Sequence, residues 1–113
     1  MTGTHIILDI SKINDKEKLK YSSTILPIMD KIVEEFNLKV VARASHQFTP
    51  YGFTGVFVLA ESHLSFHTFV DEGKIAVDLY TCHFFNYSKE LYEMMKKEFG
   101  EECEIHLKVI ERC

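Results

Sequence analysis

Lys74-Ile75-Ala76-Val77-Asp78-Leu79-Tyr80-Thr81-Cys82 is the stretch that decides the fold. Successive side chains of a strand point to opposite faces. Ile75, Val77 and Leu79 therefore form one apolar row, and Ala76, Asp78, Tyr80 and Cys82 form the other. The first row is fit for burial under helices. The second mixes an acid, a phenol and a thiol, which suits an active site, a subunit interface or both. A strand of this kind belongs to a sheet that is covered on one side.

Working outward, Ala60-Glu61-Ser62-His63-Leu64-Ser65-Phe66-His67-Thr68 carries the same alternation, with His63, Ser65 and His67 opposite Leu64 and Phe66. Extended chain is expected over Leu38 to Phe48, over Gly55 to Ala60 continuing through Ser62 to Phe69, and over Lys74 to Cys82. Thr49-Pro50-Tyr51-Gly52 and Asp71-Glu72-Gly73 supply the turns between them. Thr4 to Ile10 reads as a first strand, and Cys103 to Ile110 alternates as the last. Ile25, Ile28, Met29, Ile32, Val33 and Phe36 recur at helical spacing. Asn14-Asp15-Lys16-Glu17 reads as a capping box, and Pro27 is tolerable if the main helix begins near Thr24. Ser88 is the expected cap of a second helix with Leu91, Met94, Met95 and Phe99 on its apolar face and Gly100 as its stop. The order β-α-β-β-β-α-β predicts an α+β two-layer sandwich, a largely antiparallel sheet with two helices on one face.

Bulk properties narrow the function. A chain of 113 residues is one domain, 1–113, because two separate cores would be too small to hold themselves. A net charge of −4 without a Lys/Arg cluster argues against nucleic acid. No apolar run approaches the ~20 residues that span a bilayer, and Met1-Thr2-Gly3-Thr4-His5 is unlike a signal peptide, so a cytoplasmic address is expected. Cys82, Cys103 and Cys113 are an odd set with no CxxC pair, which fits reduced thiols better than a disulfide framework or zinc ribbon. His63 and His67 on one strand face stand about 13 Å apart at ~3.3 Å per residue. They cannot share a zinc ion at ~2.1 Å, and no metal is expected.

Glu61-Ser62-His63-Leu64-Ser65-Phe66-His67-Thr68, then Gly73, then Ala76 to Cys82, together with Phe48-Thr49-Pro50-Tyr51-Gly52-Phe53-Thr54-Gly55 upstream, resembles the signature of the prokaryotic S-adenosylmethionine decarboxylase proenzymes. The resemblance implies self-processing at Glu61-Ser62. The Ser62 hydroxyl attacks the Glu61 carbonyl, the resulting ester eliminates, and chains 1–61 and 62–113 remain, the second beginning with a pyruvoyl group derived from Ser62. That group would form a Schiff base with the substrate amine and accept electrons as CO₂ leaves. By the family pattern His67 is the base in processing, Thr54 its helping hydroxyl and Cys82 the proton donor in decarboxylation. Phe48 and Phe69 would stack on adenine or clamp the sulfonium, while Asp71 would bind a substrate amine or ribose. The resemblance also implies a homodimer with active sites near the subunit interface.

Thr54 stands where the family usually has Ser, Asp71 for Glu, Phe69 for Trp and Thr49 for an apolar residue, and the changes around Phe48, Thr49 and Phe69 fall where an adenosyl group would be held. Two alternatives follow: the same mechanism on ornithine or arginine, or a non-catalytic homologue that binds a ligand or activates a partner subunit, with Ser62 left uncleaved. Strand parity adds a geometric demand. Ser62 and His67 fall on opposite faces and can meet only if the chain turns or breaks at Glu61-Ser62.

Overall fold

The computed structural model describes residues 3–82 and 86–112. Its elements are β1 (Gly3–Ser11), a short 3-10 turn (Lys16–Leu19), α1 (Ser22–Glu35), β2 (Val40–Gln47), β3 (Phe53–Leu59), β4 (Ser62–Phe69), β5 (Lys74–Thr81), α2 (Ser88–Phe99) and β6 (Glu104–Arg112). The strands form one sheet in the order β2-β3-β4-β5-β1-β6. Every neighbouring pair is antiparallel. The expected α+β sandwich is therefore the observed one.

The alternating rows explain why the sheet has one covered face. Ile6, Leu8 and Ile10 of β1, Leu64 and Phe66 of β4, and Ile75, Val77 and Leu79 of β5 are all buried. They share a core with Ile25, Met29 and Ile32 of α1 and Leu91, Met95 and Phe99 of α2. Removing that apolar area from water is the main force holding the two layers together. The intervening residues, among them His5, His63, Ser65, His67 and Asp78, form the opposite face.

One run departs from the expected element count. Gly55 to Phe69 is a hairpin rather than one extended segment, with Leu59 opposite Ser62 across an Ala60-Glu61 turn. Four strands thus lie between the helices. The turn lacks the Gly or Asn that usually marks a two-residue hairpin loop, so nothing local announced it.

The caps also differ. Asn14 to Glu17 forms no capping box, and Asp15 precedes the 3-10 turn without a side-chain bond to it. Helix α1 begins at Ser22, after extended Tyr21, and Pro27 lies inside it. An interior proline costs about 3 kcal/mol. Here Ile25, Ile28, Met29, Ile32 and Val33 are all buried on the same helix, and that packing outweighs the lost bond. Ser88 is the first residue of α2 rather than its cap, and its N–H donates to Asn86 Oδ1 at 2.9 Å. Gly100 ends α2 as expected, at φ 101°, with its N–H on the Lys96 carbonyl at 2.9 Å. No described helix is long and apolar enough to cross a membrane. Cys82 and Cys103 are free thiols, and Cys113 lies outside the described residues.

Candidate active site

Antiparallel pairing of β4 with β5 sets the start of one strand beside the end of the other. Ser62 opens β4 and Cys82 directly follows β5, so the two meet at one end of the sheet. Ser62 Oγ lies 3.6 Å from Cys82 Sγ. The same hydroxyl is against the carbonyl oxygen of Glu61, the residue before it. The turn that carries them is pinned from below, where the Ala60 N–H donates to the Lys39 carbonyl at 2.9 Å. A cavity of about 130 Å³ opens beside this tip, lined by Asn37, Leu38, Lys39, Leu59, Ala60, Glu61, Ser62 and Thr81.

The remaining expected site residues gather at the far end of the same strands. Thr54 and His67 face each other across β3 and β4, with Thr54 Oγ1 and His67 Nδ1 3.3 Å apart. Phe48 and Phe69, each about half exposed at 47% and 48%, line a depression with Tyr51 and Asp71. Asp71 is already engaged: the Tyr51 hydroxyl donates to its Oδ1 at 2.6 Å, and Lys16 Nζ donates to its carbonyl at 2.9 Å. That hydrogen bond and the Asp71 charge raise the Tyr51 phenol above its usual range.

Within one chain the expected residues therefore fall into two groups. Ser62 and Cys82 are together, and Thr54, His67, Phe48, Phe69 and Asp71 occupy the other end. Ser62 and His67 are five residues apart on one strand, about 16 Å at ~3.3 Å per residue. A single chain does not bring them into contact.

A third group escaped the sequence reading. His5 Nε2 lies 2.9 Å and His63 Nε2 3.3 Å from Asp78 Oδ2, and the Ser65 hydroxyl donates to Asp78 Oδ1. Burial works against the Asp78 charge, yet the hydrogen bonds from Ser65, His5 and His63 outweigh it and hold the carboxyl below its usual value. Strand parity had put His63, Ser65 and Asp78 on facing rows. The missing partner was His5, because nothing local tells that β1 inserts beside β5.

The family model described as S-adenosylmethionine decarboxylase matches residues 4–113, and the chain belongs to that family. Similar proteins named S-adenosylmethionine decarboxylase proenzyme occur in Picrophilus torridus, 41% identical over 80 residues, and in Clostridium botulinum strain Hall, 32% identical over 81. These matches cover 71% and 72% of this chain, and 61% and 69% of the relatives. The chain thus spans only about three fifths of the Picrophilus protein's length. The crystal structure of the adenosylmethionine decarboxylase from Aquifex aeolicus superimposes with a TM-score of 0.86 at 31% identity, covering 97% of this chain and 89% of that one.

Proposed function

We propose that this chain is a self-processing carboxy-lyase that decarboxylates S-adenosylmethionine in the cytoplasm. The observation that carries the reading is the Ser62 hydroxyl set against the Glu61 carbonyl with the Cys82 thiol 3.6 Å away. Processing would run on this chain's own atoms. Ser62 Oγ adds to the Glu61 carbonyl carbon, the Ser62 nitrogen departs, and the peptide becomes an ester. Loss of the Ser62 α-proton expels the Glu61 carboxylate, leaving a dehydroalanine. Water then replaces its nitrogen, releasing ammonia. The products are chains 1–61 and 62–113. Sited at residue 62, the resulting pyruvoyl group supplies an electrophilic carbonyl and an electron sink for the charge left by CO₂.

The residues present fit such a group. The thiol stands 3.6 Å from Ser62 Oγ, one bond from the β-carbon that the group would keep, and the neighbouring cavity leaves room for a reacting carbon. In the catalytic cycle Cys82 delivers the proton to the substrate α-carbon, a transfer that needs a donor within about 3 Å. Phe48 and Phe69 offer apolar faces for adenine or a sulfonium, and Asp71, oriented by Tyr51, offers a carboxylate to a ribose or amine.

The two-ended arrangement supports a homodimer in which one copy contributes Ser62 and Cys82 and the other contributes Thr54 and His67. A second copy, set in the opposite sense, carries the imidazole across the separation that one strand imposes, and Thr54 Oγ1 orients that imidazole through Nδ1.

Intact mass and a denaturing gel test the processing step. The reading expects fragments 1–61 and 62–113, the latter blocked at its N-terminus. Release of labelled CO₂ from S-adenosylmethionine, with ornithine and arginine in parallel, tests the substrate. A permanently unbroken chain that releases no CO₂ would refute the proposal, and release from ornithine or arginine alone would reassign the substrate.

A further inference from the structure

We propose that His5, His63 and Asp78 form a three-ligand site for a borderline divalent cation, zinc(II) first among them, on the open face of the sheet. The three come from adjacent strands, β1, β4 and β5. His5 and His63 both stand opposite Tyr80 in the strand register, one on each side of β5, and Asp78 follows on the same face. Their ligand atoms, the two Nε2 nitrogens and a carboxylate oxygen, all lie within 4.8 Å of one another.

The spacing suits a small tetrahedral ion. With bonds of ~2.0–2.1 Å, donor atoms around tetrahedral zinc stand about 3.3 Å apart. The His5–Asp78 and His63–Asp78 edges measure 2.9 and 3.3 Å. Rotation of an imidazole about its side-chain torsions closes the remaining edge. His63, whose side chain is 38% exposed against 16% for His5, has the freedom to make that adjustment.

A separate observation concerns the carboxylate. Ser65, itself buried, donates to Asp78 Oδ1, while Oδ2 is turned toward both imidazoles. One oxygen is thus held from behind and the other presented, the outer-shell arrangement that orients a monodentate ligand. Two imidazoles and one carboxylate favour zinc, cobalt or nickel over magnesium or calcium, which prefer oxygen donors. Three protein ligands leave a fourth coordination position for water or a further ligand. The pair expected from the sequence to be too far apart, His63 and His67, remains so. The cross-strand partner His5 takes the place of His67.

This site does not depend on the decarboxylase reading, and its test reads metal rather than CO₂. The full chain, treated with a chelator and exchanged into chelator-free buffer, is titrated with zinc chloride by calorimetry and with cobalt(II) by absorption. One ion per protomer, cleaved or uncleaved, is expected, with a cobalt spectrum free of thiolate charge transfer. His63→Gln, at a partly exposed position, should weaken zinc binding at least tenfold, and Ser65→Ala by about tenfold through loss of the outer-shell bond. Absence of saturable zinc uptake by the unaltered chain would overturn the site. So would uptake unchanged by both His63→Gln and His5→Gln, or a thiolate band assigning the ion to cysteine.

Discussion

Coexpressing a Ser62→Ala chain with a His67→Ala chain separates a site shared between two copies from one built within a single chain. Ser62 and His67 lie about 16 Å apart along β4, five residues at ~3.3 Å each, and on opposite faces. Proton transfer requires about 3 Å, so neither variant alone should process or turn over. In a mixed dimer one of the two sites receives intact Ser62 from one chain and intact His67 from the other. Random pairing makes about half of the dimers mixed, each with one competent site of two. Activity should therefore return to about a quarter of wild type, by the symmetry of a two-fold assembly. The assay is labelled CO₂ release together with the yield of fragment 62–113, on material whose mixed dimers are counted by native mass spectrometry. Mixed dimers present in the expected share, yet no more active than either parent, would refute the shared site.

Ser62→Ala alone should give only full-length chain on a denaturing gel; any 62–113 fragment from it would place the scission elsewhere. Cys82→Ala should still mature but turn over about 10²–10⁴-fold more slowly, and wild-type kcat in that variant would remove the thiol from the mechanism. Phe66 is fully buried between the layers, so Phe66→Ala in an uncleaved Ser62→Ala background should cost about 3–5 kcal/mol in urea unfolding; a cost below about 1 kcal/mol would contradict the packing described. Asp78 carries a lowered folded-state pKa. Its contribution to stability is present above the usual carboxylate value and is lost as pH falls through the lowered one. In chelator-containing buffer the gap in urea midpoint between the parent and Asp78→Asn should shrink on acidification below that usual value, and a gap that widens there would reverse the sign.

Much of the architecture was legible because burial follows period. The rows Ile75-Val77-Leu79 and Leu64-Phe66 could only face a core, and the helical spacing from Ile25 to Phe36 could only lie against it. Misreadings came where a local rule met a stronger non-local term. Pro27 inside α1 is offset by the buried face around it, and the capping box at Asn14 lost to a 3-10 turn. The Ala60-Glu61 hairpin has no turn residue to betray it. The resemblance supplied Ser62, Cys82, Thr54 and His67, but not their arrangement.

Taken alone, the amino-acid order determined which residues are core, which strand faces are polar, and that a hydroxyl, an imidazole and a thiol sit on strands. Tertiary structure decided their company: Cys82 beside Ser62, His67 at the opposite end, and His5 delivered to Asp78. The reason is that side-chain period is a property of a few consecutive residues. Strand order and register arise from pairings between residues distant in the chain, such as β1 with β5, and only the closed sheet specifies them.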